Sequence, residues 1–309
     1  LADAGLKRII NGPFTFAPDG NPLVGPVPGL RNFWSACAVM AGFSQGGGVG
    51  LTLAEWMVEG EPSRDVFAMD VARYGNWTTR AYTRNKVVEN YQRRFAVSYP
   101  NEELPAARPL ETSPAYGVWK GQNAVFGQGY GMEHVNYFAP HGEEPYETPS
   151  FRRSNAHDTV GEECRAVRNA VGINETHNFG KYLVSGSGAE DWLDRVMAGR
   201  IPKQGRMTLS AMLSPKGRII GDFTILRQNA ETFRLAASFG TQAFHMRWFE
   251  QHLPEDGSVT VENISLKSIG FQIAGPNARE LLSRVTRIDV SNEALPFMSA
   301  IETEVGQCD

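Results

Sequence analysis

The chain is poor in cysteine. Only Cys37, Cys164 and Cys308 occur among its 309 residues, an odd number, far apart and without CxxC spacing. That excludes a disulfide framework or a zinc ribbon and fits a reducing compartment, the cytoplasm or, in a eukaryote, the mitochondrial matrix. Long apolar runs are also missing: stretches such as Ser35 to Phe43 fall well short of the roughly 20 residues that span a bilayer, so the sequence reads as soluble. Nor is there an excess of one charge. The formal net charge is -4, with acids and bases interleaved, which leaves no basic face to track phosphates and makes nucleic acid an unexpected partner. His134, His141, His157, His177, His245 and His252 show neither HxxxH nor a paired-carboxylate spacing. No metal centre is expected, and these side chains read as surface or hydrogen-bonded residues. No GxGxxG, fixed-period repeat or low-complexity tract is present.

What is there is enough for one to three domains. The opening ADAGLKRIINGPFTF reads as a helix end running into a strand, and the chain stops abruptly at IETEVGQCD; both ends read as cut from something longer. Residues 11 to 25, NGPFTFAPDGNPLVG, predict a hairpin about a Pro-Asp-Gly-Asn turn. Arg31 to Val39 reads as a strand entering a buried sheet, followed by a glycine turn, GFSQGGGVG, and a helix, LTLAEWMVEG. From Asp65 to Phe95 a charged, aromatic helical connector is expected, with Tyr82, Tyr91 and Phe95 on one face. Prolines and glycines are dense from Asn101 to Pro149, where WKGQNAVFGQGYGMEHVNYFAP reads as an irregular loop leading into a strand pair, with a domain boundary near residues 110 to 125.

Past Ser150 the pattern resets. VGEECRAVRNAVGI predicts an amphipathic helix, HNFGKYLVSG a strand and GAEDWLDRVMAG a helix. RMTLSAMLSPKGRIIGDFTILRQNAETFRLAAS predicts three strands joined by short turns, GTQAFHMRWFEQHLP a helix, and SVTVENISLKSIGFQIAGPNARELLSRV further strands and a helix. Hairpin-linked strands with interspersed helices argue for an α+β domain there rather than a doubly wound one.

Two places carry chemistry. Gly42, Gly46, Gly47, Gly48 and Gly50 lie where free N–H groups and a helix dipole can face an electron-rich ring edge or a phosphate, although glycines also serve close helix packing. Asp222, in the apolar strand GRIIGDFTIL, shares a side with Ile220 and Thr224. Taken alone it reads as a solvated surface carboxylate, since turning it inward is expensive without a partner.

PDGNPLVGPVPGLRNFWSACAVMAGFSQGGGVGLTLAEWMVEGEP resembles the C-terminal end of the FAD domain in D-amino-acid-oxidase-like flavoenzymes, most closely the dimethylglycine and sarcosine dehydrogenase branch. That branch continues into a folate-binding domain similar to the glycine-cleavage T-protein. VGEECRAVRNAVGI, FGKYLVSGSGAEDWLDRV, GRMTLSAMLSPKGRIIGDFTIL and IGFQIAGPNARELL look like its successive elements in order. The likeness covers residues 10 to 60 and 150 to 300 well and 60 to 150 loosely. It implies a mixed α/β and α+β chain: the end of an FAD domain at 1–65, a helical connector or central domain at 66–120, and a truncated T-protein-like domain at 121–309.

The resemblance further implies that Phe43, Ser44, Gln45, Gly46, Gly47 and Gly48 contact FAD. By the same likeness Asp222, Phe223, Thr224 and Phe179 face tetrahydrofolate, with Asp222 as general base toward the folate amine, and Ser238 and Gly240 are weaker candidates. Gln45 departs from a histidine found in some dimethylglycine dehydrogenases, which leaves the amine undetermined. The implied activity is hydride transfer from dimethylglycine or sarcosine to FAD and passage of the released carbon to tetrahydrofolate, with oxygen or an electron-transfer flavoprotein taking the electrons. Two alternatives stand beside it: a folate-dependent aminomethyltransferase with a vestigial flavin domain, and a subunit module of a multi-subunit oxidase.

Overall fold

The structure is a computed structural model and describes residues 5–306. It separates into two compact units, one holding the chain up to Arg73 together with Thr79–Ala96, the other Tyr74–Thr78 and the chain from Val97 onward.

In the first unit, β1 (Leu23–Pro26) pairs antiparallel with β2 (Trp34–Cys37), followed by α1 (Gly42–Glu59) and α2 (Arg80–Gln92). Trp56 of α1 seats the helix on this ribbon: its ring lies where a Cβ on Gly25 would come within 2.7 Å, and it meets Trp34 edge-on at 6.1 Å. Gly60, at φ 79°, closes α1 by donating its N–H to the Trp56 carbonyl, the left-handed ending that glycine adopts without strain. The buried Arg73 guanidinium ties the segment before β1 to the turn after α1, donating to Asp19 Oδ2 at 2.7 Å and Oδ1 at 2.9 Å and to the carbonyls of Pro22, Asp70 and Asn21. Thr79 caps α2 by accepting from the Tyr82 N–H.

Several expectations for this unit are corrected. Residues 5–16 form neither helix nor strand. The hairpin is β1–β2, not 11–16 with 22–25: Phe14 and Phe16 instead meet the ring of Tyr91 on α2 at 5.8 and 5.5 Å, so their aromatic bulk serves side-chain packing in place of a strand ladder. β2 is short and ends exposed, not entering a buried sheet. Tyr82 is buried, whereas Tyr91 is half exposed and Phe95 lies beyond the end of α2, with the Arg94 guanidinium over its ring at 5.2 Å. The glycines stand inside α1, not before it.

In the second unit, α3 (Tyr116–Gly121) precedes a hairpin of β3 (Ala124–Gly129) and β4 (Met132–Phe138). The expected strand pair is the β3–β4 hairpin, and a helical turn, α3, stands where an irregular loop was expected to lead into it. Tyr130 and Gly131, at φ 50° and 86°, make the two-residue connection whose twist suits a hairpin. Then come α4 (Ala156–Asn169), β5 (Gly172–Glu175), β6 (Phe179–Ser185), α5 (Ala189–Val196), β7 (Met207–Leu213), β8 (Ile219–Arg227), β9 (Thr232–Ser238), α6 (Gln242–His252), β10 (Thr260–Asn263), β11 (Phe271–Ala274) and α7 (Ala278–Val285). A five-stranded antiparallel sheet runs β10-β6-β9-β8-β7, and β5 pairs separately with β11.

Alternation along these strands sorts the sheet into two faces. Tyr182, Val184, Met212, Phe223, Ile225, Phe233 and Leu235 point to one face and are buried under Ala189, Trp192, Leu193 and Val196 of α5 and Phe249 of α6. The other face holds the residues between them.

Cys37 and Cys164 are free and exposed; Cys308 lies outside the described residues. Among the described residues, no helix is long and apolar enough to cross a membrane.

Candidate functional site

The glycine-rich segment forms the first turns of α1. Glycine disfavours helix by about 1 kcal/mol per residue, yet the helix runs through Gly46, Gly47, Gly48 and Gly50 because Val49 and Trp56 anchor the same face in the core. Ser44 and Gln45 donate their N–H groups to the Ala41 carbonyl, and from Gly46 onward the N–H groups enter the i→i−4 ladder. In this first turn the N–H groups of Gly42 and Phe43 are the ones with no intrahelical carbonyl to reach. The glycines therefore offer a surface without side chains more than a set of donors: a Cβ at Gly46, Gly47 or Gly48 would meet nothing within 4 Å. Phe43 projects fully exposed beside this surface, with Gln45 and Ser44 also exposed; the Ser44 hydroxyl turns back onto the Ala41 carbonyl.

The second place is the uncovered face of the five-stranded sheet. Its register sets two rows across the strands. In one, Lys181 lies opposite Ala236, Ala236 opposite Thr224, and Thr224 opposite Leu209. In the other, Phe179 lies opposite Ser238 and Asp222 opposite Ala211, and the β8–β9 register continued by two residues brings Asp222 level with Ser238. Asp222, Ser238, Phe179 and Leu209 are exposed and Thr224 is half-buried. A carboxylate, two hydroxyls and an aromatic ring thus share one accessible surface. Asp222 occupies the outward position that its strand alone implies.

Phe223 does not belong to this surface. Its ring is 1 % exposed on the covered face, within 4.7 Å of the His245 ring and 5.8 Å of Phe249 by centroid, because consecutive strand residues face opposite ways. Any contact it makes with a ligand on the open face runs through its backbone. Gly240 is buried under Tyr130, whose ring lies 2.2 Å from where a Cβ would stand, so its lack of a side chain serves packing.

Beside Phe179, the Lys181 ammonium donates to the carbonyls of His177, Ser265 and Ser268 at 3.1 to 3.2 Å. Burial holds its pKa below the ordinary lysine value, opposed by the Glu175 carboxylate. His177 is buried with Nδ1 against the Ser268 carbonyl, and burial, aided by Lys181, lowers its pKa. Trp119 Nε1 donates to Glu175 at 2.6 Å. Lys181 thus fastens the loop after β10 to one edge of the open face, a role that no spacing in the sequence announces. His245 is likewise buried; its position four residues before Phe249 on an apolar helix face is the one signal available. No cluster of metal-ligating side chains occurs among the described residues.

Residues 115–309 match the family described as the GCVT N-terminal domain, and residues 59–113 match the FAD dependent oxidoreductase central domain. Mouse (Mus musculus) mitochondrial dimethylglycine dehydrogenase is 36 % identical over 96 % of this chain and 34 % of its own length. Human (Homo sapiens) mitochondrial sarcosine dehydrogenase is 30 % identical over 96 % of this chain and 37 % of its own. The chain therefore spans about a third of the length of the curated relatives it matches. The glycine cleavage system aminomethyltransferase T of Bartonella henselae shares the fold at a TM-score of 0.50 and 20 % identity, over 62 % of this chain and 46 % of that one. Along almost its whole length the chain is similar to dimethylglycine and sarcosine dehydrogenases, and over residues 115–309 it belongs to the GCVT N-terminal domain family.

Proposed function

We propose that this chain contributes a folate-facing surface and one edge of a flavin site to an enzyme that oxidatively demethylates dimethylglycine or sarcosine. The observation that carries the reading is the shared open face of Asp222, Thr224, Ser238 and Phe179 in a domain of the GCVT N-terminal family. FAD, when bound, supplies the hydride acceptor, and tetrahydrofolate supplies the amine that takes up the one-carbon unit.

The residues present suit both groups. The side-chain-free stretch of α1 at Gly46–Gly48 admits a flat ring system, and the positive end of the helix at Gly42 and Phe43 favours electron density placed against it. On the sheet, the solvated Asp222 carboxylate can accept a hydrogen bond from an amine N–H and take its proton, while the Thr224 hydroxyl serves as donor or acceptor one row away. The Phe179 ring, 45 % exposed, offers a stacking surface at the end of the same row as Asp222. Thr224 is held by backbone pairing on both sides, Asp222 on the β7 side and Phe179 on the β9 side, so these groups need little rearrangement on binding.

The test uses the full-length parent carrying its flavin. Dimethylglycine, then sarcosine, is added anaerobically while flavin absorbance near roughly 450 nm is followed, and formaldehyde is measured with and without tetrahydrofolate. Bleaching by either amine, with folate-dependent suppression of formaldehyde that is lost in Asp222→Ala, supports the reading. Absence of bleaching with both amines overturns the demethylase; suppression that survives in Asp222→Ala removes Asp222 from the folate site.

A further inference from the structure

The residues on either side of Asp222 in β8 both rest on one imidazole. Phe223 packs against His245 with ring centroids 4.7 Å apart and the rings tilted by 47°. Gly221 presents its Cα to the same ring so closely that a Cβ would lie 2.6 Å from His245 Nε2 and 2.5 Å from the Phe223 ring. Glycine at 221 is therefore a condition of the imidazole's approach to the strand.

His245 is itself held from behind. It is 1 % exposed, and its Nδ1 lies 3.1 Å from the Tyr182 hydroxyl and 3.3 Å from the Thr241 hydroxyl. Thr241 gives its proton to the Ser238 carbonyl at 2.9 Å and so can only accept at Nδ1, whereas the Tyr182 hydroxyl can donate or accept there; the opposite ring nitrogen is Nε2. That atom faces the Ile220–Gly221 backbone and has no well-formed hydrogen bond among the described residues. Burial lowers the His245 pKa to about 4, opposed by the Ile220 backbone, so the ring is neutral at ordinary pH. Tyr182 is fully buried on β6, and its ring meets those of Phe223 and Phe249.

A buried imidazole between two strands and a helix is an expensive way to fill a core that an aliphatic side chain could fill. What it adds is direction: a hydrogen-bonded ring has one orientation, where an aliphatic group has several. We propose that His245, anchored by Tyr182 and Thr241, is a positioning residue that fixes the β8 backbone at Gly221–Phe223 and so aims the Asp222 carboxylate on the open face. This rests on Asp222 facing folate, as proposed above. Phe223 and Asp222 are then two ends of one lever, the ring clamped below the sheet and the carboxylate held above it.

The test is a double-mutant cycle in the full-length parent, with 5-formyltetrahydrofolate titrated as a stable folate probe and thermal melting recorded for every variant. Asp222→Asn is expected to weaken binding about 10-fold or more, the loss of one charge-assisted hydrogen bond. His245→Phe is expected to weaken it about 5- to 10-fold, and the double variant to bind no worse than Asp222→Asn alone, since misaiming an absent carboxylate has no further effect. His245→Gln, which can place an N–H near Nε2, is expected to return affinity to within about 2-fold of the parent. A purely structural His245 would lower the melting temperature, weaken binding equally with and without Asp222, and gain nothing specific from Gln.

If Asp222→Asn binds normally, the folate reading of Asp222 fails, and the positioning role fails with it. If Asp222→Asn weakens binding while the effect of His245→Phe is absent or additive, the positioning role alone fails. Should His245→Phe not fold, Tyr182→Phe removes the anchoring hydroxyl and keeps the ring, and a loss of affinity confined to the Asp222 background is the expected result. An equal loss in both backgrounds overturns the proposal.

Discussion

The two faces of the five-stranded sheet are built from the same strands, residue by residue in alternation, and they differ in almost every physical respect. The covered face is a closed set of rings and aliphatic chains: Tyr182, Phe223, Phe233 and Phe249 are each no more than 1 % exposed. The open face carries Asp222, Ser238, Phe179 and Leu209, all exposed among the described residues, Leu209 being 66 % exposed. One face is spent on stability and leaves the other free for binding, and neighbouring residues of one strand can therefore have unrelated jobs. Breaking this division tests it most strongly at Phe223. Phe223→Ala empties a site filled on all sides and is expected to destabilise the chain by about 3–5 kcal/mol, read as a lower midpoint in urea unfolding. A loss under about 1 kcal/mol, the range of an exposed side chain, would mean that Phe223 does not sit in the covered face.

The next effect belongs to the polar group inside that face. His245 is pushed down to about 4 in the folded chain against about 6.5 unfolded. As pH falls below 6.5 the unfolded chain gains a proton that the folded chain refuses, so stability present above that value is lost progressively down to pH 4. The shift corresponds to about 3 kcal/mol. His177, lowered in the same direction, adds to the acid sensitivity of the parent chain. Comparing unfolding free energies at pH 7 and pH 4 for the parent chain and His245→Gln isolates the His245 share: the substituted chain should lose less by about that amount. Equal losses in both would mean that His245 titrates normally in the folded state.

Much of this division is legible in the sequence. RMTLSAML, IIGDFTIL and TFRLAAS alternate cleanly and are joined by short turns, so three of the five strands, and the shared side of Asp222 and Thr224, follow from a period of two. The same period separates Phe223 from Asp222, which a motif read as consecutive residues overlooks. β5 escapes notice because it has four residues and its partner β11 is distant in the chain; a short strand has no periodicity of its own, and only tertiary pairing defines it. NGPFTF carries strand propensity, but Phe14 and Phe16 pack on a helix. The role proposed for His245 is invisible for a related reason: His245 is on α6 while Tyr182 and Gly221 lie on β6 and β8, and their meeting is a product of the fold.

The glycine stretch of α1 sharpens the comparison, since it resembles the open face in exposure but reaches it by omitting side chains instead of choosing polar ones. With no atom within 4 Å of a Cβ at Gly47, Gly47→Ala is expected to stabilise the helix by about 0.5–1 kcal/mol through propensity alone. In the full-length parent the added methyl intrudes on the proposed flavin edge, and flavin retained after gel filtration should fall. A variant that is more stable and retains flavin fully would show that the glycines do not face the cofactor.

The smallest expected change in stability is at Asp222. A solvated carboxylate on an open strand face, without an ion pair among those described, adds little to folding. Asp222→Asn, nearly isosteric, should leave the unfolding free energy within about 0.5 kcal/mol of the parent while folate-dependent suppression of formaldehyde in the full-length enzyme drops. The pairing of an unchanged fold with a lost function separates a binding face from a packing face. If Asp222→Asn instead costs as much stability as a core substitution, the carboxylate is a structural member of the sheet, and the open face would have to be redrawn around Thr224 and Phe179.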